Sequence, residues 1–400
     1  MRKKVLVLGS NFGGVTAAIS IKKQLGVDVD VTVLSVSSKF LYTPSLIWVP
    51  FGGRKIEDIT FEVAPTFAAH GIEFIQKAAG KLELDLNQVI DVDGGVHSYD
   101  YLVIATGTQV DLKRVDGFAE NSTTIVNPDA AAKSGEAWRK FLRDPGDVVI
   151  GATQGANCFG AAYEYLFNAS YQLRKAGIKK QVKMSYVTSE PYLGHFGIDG
   201  MPTGEFMVDM FFKKENITGY TNAAMEYIDK DAVKLTDGRE IPFKYSMIIA
   251  PFLGVDAVKS CEKITNPAGF VDVRDTYQTK AYDNVYAVGT AAAVVAPYTT
   301  PLPVGVPKTG YPTDTMAKTA ADNIVSQIKG NAPAKEKPFG DIAAMCIMDA
   351  GNNGIALLGD HMLKPRKGAV LIPGPQNHAL KIALEKYMLW KNKGGYVSLP

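Results

Sequence analysis

The chain has 400 residues, enough for two or three domains with separate cores, and its 46% apolar and 21% charged residues belong to a folded protein rather than a disordered one. A net charge of +2 lacks the basic bias of a nucleic-acid surface, so no nucleic-acid partner is expected. Three cysteines with no CxxC exclude a disulfide scaffold and a four-thiolate metal centre; they stand as individual thiols, and no metal site is expected.

Arg2-Lys3-Lys4 before Val5-Leu6-Val7-Leu8 imitates a secretory signal, but the apolar run is short and ends in a glycine-rich turn. It reads as a first strand, with no signal peptide. No apolar run reaches the ~18 residues of a bilayer-spanning helix, which leaves peripheral membrane attachment open. The chain opens β-α-β: a strand to Leu8, a glycine-opened helix to about Gly26, and a second strand over 29–36. A near-alternating hairpin over 81–99 turns at Asp93-Gly94-Gly95 and runs into a buried strand from Tyr101 that ends on Ala105-Thr106-Gly107.

The same order then recurs. A strand and loop (147–156) lead into a helix to about Lys175, a strand over 181–189, a hairpin turning at Asp237-Gly238, and a buried strand from Tyr245. This internal repeat predicts an α/β chain with two Rossmann-like domains of the FAD/NAD(P) type. Residues 282–289 read as a strand returning to the first domain. A Pro-rich loop (297–307), a helix from Thr309 to Lys329 and a linker (330–340) follow. The expected division is 1–110 and 266–332 for the first domain, 111–265 for the second, and 333–400 for a C-terminal amphipathic membrane-attachment segment.

Gly9-Ser10-Asn11-Phe12-Gly13-Gly14 supplies the glycine turn and helix N-terminus that a dinucleotide pyrophosphate needs. Asn11 takes the usual second-glycine position and is expected to tolerate positive φ there. Ser35 and Ser37 stand where strand two would end in an acidic residue. With the stretches 105–107 and 283–289 the loop resembles the two-domain flavoprotein reductases. The resemblance implies FAD, held by Gly9, Asn11, Phe12, Gly13, Gly14, Ser35, Pro44, Ala105, Thr106, Gly107, Gly289, Thr290, Lys308 and Gly310. In those proteins an Asp follows the last glycine and holds the ribityl chain; here it is Thr290. The second loop, Gly151 to Ala156, places Thr153 and Ala156 at glycine positions, a poor seat for pyrophosphate, so a lost nicotinamide site is expected. Glu190 is the contrary sign: it is either a ribose-hydroxyl acceptor or a solvated strand-end carboxylate.

Cys158 opens the helix of the second repeat, where the positive end of the helix dipole is expected to stabilise a thiolate. The segments CFGAAYEYLFN (158–168), SEPYLGHFGIDG (189–200), PVGVPKTGY (303–311), AAMCIMDAGNNG (343–354) and LKPRK (363–367) resemble the membrane-associated sulfide:quinone oxidoreductases, relatives of flavocytochrome c sulfide dehydrogenase and type 2 NADH dehydrogenases. The resemblance implies that Cys158 and Cys346 lie by the flavin and relay electrons from hydrogen sulfide. Sulfide would attack a sulfur bridge between them, leaving one persulfidated while Cys346 hands the electron pair to the flavin. The product would be polysulfide or elemental sulfur, and the acceptor a membrane quinone, ubiquinone or menaquinone. Val126 stands in the stretch where many members carry a third functional cysteine, so the FAD is expected to be non-covalent; Cys261 is read as a bystander.

The resemblance places His195 near the sulfide entrance, as a base or thiolate partner titrating near neutrality. It places Lys308 near the isoalloxazine, where its charge would favour anionic reduced flavin. Glu164 matches a family glutamate; helical spacing sets it roughly 120° round from Cys158, so a proton would pass by way of water, with a salt-bridged core carboxylate as the other reading. An NADH:quinone oxidoreductase and a flavocytochrome-type subunit remain the alternative functions.

The tail carries Lys364, Arg366, Lys367, Lys381, Lys386, Lys391 and Lys393. Its helix sets Lys381 and Glu385 on one side and Leu380, Ala383, Leu384, Tyr387 and Trp390 around the other. Such a helix suits the lipid headgroup boundary, against packing on the core or on a second copy. Phe40, Tyr42, Ile347, Tyr387 and Trp390 are the candidates to line the quinone pocket. The expectation is a peripheral (monotopic) protein of the cytoplasmic membrane, with membrane face and homo-oligomeric state open.

Overall fold

Strand Lys3–Leu8 buries its last four residues and pairs in parallel with Val29–Leu34 on one side and Tyr101–Ile104 on the other. Continuous apolar strands of this kind suit a parallel sheet covered on both faces. The computed structural model describes residues 2–399. In it the sheet runs Val285–Ala287, Tyr101–Ile104, Lys3–Leu8, Val29–Leu34, Glu73–Ile75. Helix Phe12–Leu25 follows the first strand and packs along helix Gly310–Ile328, so segments from both ends of the sequence meet over one sheet.

A second parallel sheet runs Ile217–Tyr220, Met184–Thr188, Val148–Ala152, Tyr245–Ile249, with helix Phe159–Lys175 packed on it. The strand expected from residue 181 starts later, because Lys179–Gln181 form a single 3-10 turn. The two hairpins each belong to a small three-stranded antiparallel sheet and turn at Gly94 and Gly238, both at φ +86. Helices Pro128–Phe141 and Gly204–Glu215 stand outside the sequence-level pattern.

Beyond the linker the chain forms a third sheet, an antiparallel meander of Ala344–Asp349, Gly354–Gly359 and Ala369–Pro373, followed by helix Gln376–Lys393. Strand Ala344–Asp349 ties this region together, packing on both the helix that follows Cys158 and the C-terminal helix. The C-terminal helix faces opposite to a simple amphipathic reading. Its buried residues are Asn377, Lys381, Glu385, Met388, Lys391 and Asn392, while Leu380 and Trp390 are 48% and 53% exposed. Each inward charge meets an opposite charge in the core. Lys381 pairs with Glu164, Glu385 with Arg54 at 2.9 Å, and Lys391 with Asp314 at 2.9 Å. Pairing is what makes such burial tolerable. Among the described residues no helix is long and apolar enough to cross a membrane.

Candidate active site

Three loops converge over the first sheet. Gly9 has φ +106, and a side-chain carbon there would run into the Ala105 carbonyl. Gly107 lies by Thr290, and a carbon on Gly289 would come within 2.8 Å of Thr313. Helix Phe12–Leu25 starts in this cradle with no acidic residue in its first turn, so its positive end stays free for an anionic group. Asn11 caps it through the Phe12 N–H (3.1 Å) from an extended backbone, φ −100; the positive φ expected of Asn11 is not needed. Phe12 packs under Gly310, and Ser35, nearly buried, bonds Ser10 at 2.9 Å. Pro44 is half-buried in the 3-10 helix Thr43–Trp48. A glycine cradle with an open helix end fits the pyrophosphate of FAD. Lys308 braces its floor, donating to the carbonyls of Thr290 (3.0 Å) and Ala292 with its ammonium 4.2 Å from the Phe270 ring centre. Burial pulls its pKa down to about 7.

The second nucleotide loop is closed by its own chain. Gln154 donates to the Met225 carbonyl (2.8 Å) and accepts from the Met225 N–H (3.1 Å). The Gly155 N–H donates to the Pro303 carbonyl at 2.6 Å, and Ser189 reaches the Thr153 carbonyl at 3.3 Å. Glu190 is neither solvated nor free for a ribose. It is fully buried and accepts from the Phe196 N–H (2.6 Å) and the hydroxyls of Tyr163 and Thr188 (2.9 Å each). Burial raises its pKa to about 7.

Cys158 caps helix Phe159–Lys175 and Cys346 sits inside strand Ala344–Asp349, which packs on that helix. Both are free thiols, half-buried, and close enough for a charge on Cys158 to raise the Cys346 pKa. Burial pushes Cys346 up to about 12. At Cys158 burial also wins, raising the pKa against the opposing hydrogen bond from the Ala161 N–H; the helix start alone does not deliver a lowered thiol pKa. Glu164, from the Cys158 helix, pairs with Lys381 and accepts the Asp349 N–H at 3.0 Å, and burial raises its pKa. Glu164 is salt-bridged in the structure. Cys261 lies elsewhere, with its sulfur 3.6 Å from the Leu82 carbonyl.

His195 is 1% exposed, between the edges of Tyr192 and Tyr298. Its Nδ1 accepts the Gly197 N–H (3.2 Å), which assigns the proton to Nε2, 3.9 Å from Asp199. Burial lowers its pKa to about 4, so it stays neutral where titration near neutrality was expected. Gly197 is packed against the Gly305 carbonyl and against Pro307 and Phe159, which adjoin Lys308 and Cys158 in sequence.

The residues expected around a quinone differ in access. Phe40 has no exposed surface: it is sealed between Phe12 and Phe61, with ring centres at 4.8 and 4.9 Å, and backs a wall instead of forming one. Tyr42 is 3% exposed and feels the charges of Glu385, Glu164 and Cys346, which together with burial raise its pKa. Ile347 and Tyr387 are half-buried, and Trp390 lies outside, its ring centre 4.6 Å from that of Tyr396.

Residues 3–311 match the family of pyridine nucleotide-disulphide oxidoreductases. Over 404 residues the chain is 37% identical to the sulfide-quinone reductase of Aquifex aeolicus (strain VF5), covering 100% of this chain and 93% of that protein. The chain belongs to the sulfide:quinone oxidoreductases. The X-ray structure of the sulfide:quinone oxidoreductase from Aquifex aeolicus superposes with a TM-score of 0.94 at 37% identity, covering 98% of this chain and 92% of that one. A type II NADH:quinone oxidoreductase of Staphylococcus haemolyticus (strain JCSC1435) is 26% identical over 134 residues, 33% of either chain. NDH2 of Plasmodium falciparum in complex with NADH shares the fold alone, with a TM-score of 0.71 at 14% identity over 99% of this chain and 97% of that one.

Within this sulfide:quinone oxidoreductase chain, sequence reasoning missed the polar cluster beneath the thiols. Asp349 accepts from Trp48 Nε1 (2.9 Å) and lies 2.6 Å from His378 Nδ1, while Asn168 ties the carbonyls of Glu164 and Asp349 together. The spacing of Asn377, Lys381, Glu385, Met388 and Asn392 marks them as one helical face, but no local signal says that this polar face turns inward.

Proposed function

We infer that the protein oxidises hydrogen sulfide and passes the electron pair through FAD to a quinone. This reading is supported by 37% identity over the whole chain to a sulfide-quinone reductase, with Cys158 and Cys346 on two elements that pack together, in a chain whose second nucleotide loop is closed on itself. FAD supplies reversible two-electron redox chemistry when bound. Hydrogen sulfide gives up two electrons and two protons as its sulfur joins a cysteine sulfur, and the quinone takes up two of each.

The division of labour is our proposal. Cys158 and Cys346 form and reopen the sulfur bridge; Lys308, held on two carbonyls, shapes the turn beside the flavin. His195, neutral and locked by Gly197, orients the loop that presses on Phe159 instead of exchanging protons near pH 7. We assign Tyr42, Ile347 and Tyr387 to the approach of a flat ubiquinone or menaquinone ring, with polysulfide or sulfur leaving on the thiol side. Peripheral membrane attachment is supported by the exposed apolar groups Val370, Ile372, Leu380, Trp390 and Tyr396, flanked by exposed Lys386 and Lys393. The sheets support a split of the chain near residues 110, 265 and 332.

Anaerobic addition of sulfide should bleach the flavin absorbance within seconds, and quinone should restore it, while NADH should leave it unchanged. Bleaching by NADH and not by sulfide would reassign the protein to the NADH:quinone relatives.

A further inference from the structure

Glu190 stands where an NADH enzyme of this fold would keep its ribose acceptor, yet it is fully buried and turned inward. The groups bonded to its carboxylate are uncharged donors. The Phe196 N–H reaches Oε1 (2.6 Å), and the hydroxyls of Tyr163, Thr188 and Tyr186 reach Oε2 (2.9, 2.9 and 3.4 Å). We propose that Glu190 is a positioning residue for the sulfide half-reaction: through Phe196 and Tyr163 it fixes the loop 194–200 against Phe159, and so sets the helix start at which Cys158 meets sulfide. This rests on the sulfide-oxidising reading above.

The bonds run one way. The Gly194 N–H donates to the Tyr163 hydroxyl (2.9 Å) and the Glu190 N–H to the Thr188 hydroxyl (3.2 Å), so both hydroxyl oxygens accept from the loop and their hydrogens point on to the carboxylate. Only an acceptor at both side-chain oxygens closes such a set; an amide in its place turns a donor toward other donors. Burial raises the Glu190 pKa to about 7, so at pH 8 the group is the carboxylate that these donors fit.

The loop needs an anchor of this kind. Gly194, Phe196, Gly197, Asp199 and Gly200 all have positive φ, and for Phe196, at φ +56, that backbone is strained. Its N–H makes the shortest of the bonds to Glu190, and its ring meets the Tyr163 ring edge-on, with centres 5.1 Å apart. The next residue, Gly197, leaves no room for a side-chain carbon: one placed there would lie 3.3 Å from the Phe159 ring and 2.4 Å from the Gly305 carbonyl. The Tyr298 hydroxyl donates to the Gly197 carbonyl at 2.6 Å. Phe159 is the first residue of the helix that Cys158 caps, and Tyr163 lies just over one turn along it. Glu190 therefore grips that helix start twice, directly at Tyr163 and by way of the loop at Phe159.

The test compares Glu190→Gln, Tyr163→Phe and the double variant with the parent, all as full-length holoenzymes at pH 8. Hydrogen–deuterium exchange read by mass spectrometry should quicken roughly tenfold in peptides covering 192–200 in each variant. Cys158 in the reduced protein should be alkylated by iodoacetamide several-fold faster; neither readout needs sulfide. With sulfide, the limiting rate of flavin bleaching should fall about tenfold while the half-saturating sulfide concentration and the quinone reoxidation of chemically reduced flavin stay near the parent values. The double variant should be no slower than the slower single one, because both substitutions cut one linkage. A parental bleaching rate in a variant whose loop has loosened would overturn the proposal, as would losses that multiply in the double variant or extend equally to quinone reoxidation. Exchange or alkylation at the parent rate in both single variants would overturn it too. If Glu190→Gln loses its FAD, Tyr163→Phe, which keeps the carboxylate, reads the same linkage. Failure of the parent to bleach with sulfide would overturn the functional reading instead, and exchange and alkylation would still decide whether Glu190 sets the Cys158 helix.

Discussion

At Cys346 burial and charge oppose each other: a thiol held near pKa 12 must nevertheless become a thiolate during turnover. Replacing Cys346 or Cys158 by serine should therefore abolish flavin bleaching by sulfide, a loss of at least a thousandfold in rate, while the visible spectrum of bound FAD persists; stopped-flow absorbance checks both. His195 offers a different kind of test. Its folded pKa, about 4, lies below the usual 6.5, so the native state favours the neutral ring. Stability from this group is complete above pH 6.5 and is lost as pH falls toward 4, by about 1.4 kcal/mol per unit in that window. Urea midpoints measured from pH 7 to 4.5 should fall in the parent and fall less in His195→Gln. The titration near neutrality expected of His195, as a base or thiolate partner, is opposed by burial for a reason no motif displays: how deeply the ring is packed is decided by Tyr192 and Tyr298, the latter far away in sequence.

Among the elements, the C-terminal helix departs most from its sequence pattern. A basic helix with apolar residues around one side reads as polar face outward, yet Glu385 is fully buried between Ser45 and Arg54. Glu385→Ala should cost about 3 kcal/mol, the usual result of removing one partner from a buried pair, and should expose the helix to limited proteolysis. Leu380→Asp, on the outward face, should leave stability near the parent value and reduce co-sedimentation with anionic lipid vesicles several-fold. The first loop behaves as its glycines foretell. Gly9→Ala meets both a positive φ and the Ala105 carbonyl, and should leave the purified protein largely without flavin, measured as the visible-to-ultraviolet absorbance ratio. Strands and helices of the two repeats were legible because buried parallel strands and glycine turns carry local signals. The C-terminal meander was not read, although its first turn, Ala350-Gly351-Asn352-Asn353, carries a glycine at φ +90; its place against the Cys158 helix is decided by packing that no local motif displays.

For the molecule as a whole, two sheets with their helices and hairpins were visible as a repeat in the sequence, including the late strand that returns to the first sheet. The arrangement of the thiols was legible only as a resemblance, since Cys158 and Cys346 are brought together by a strand added outside the repeat. What became of the second nucleotide fold was half visible: Thr153 marked its loss, but only the folded chain places Gln154, Pro303 and Glu190 inside it. The consequence reaches past the active site. Reduced nicotinamide is a strong donor, and a flavin open to it would let that pool drain into the quinone whenever sulfide ran out. A slot filled by its own chain predicts a flavin that answers to sulfide and not to reduced nicotinamide, which would keep one redox pool apart from the other.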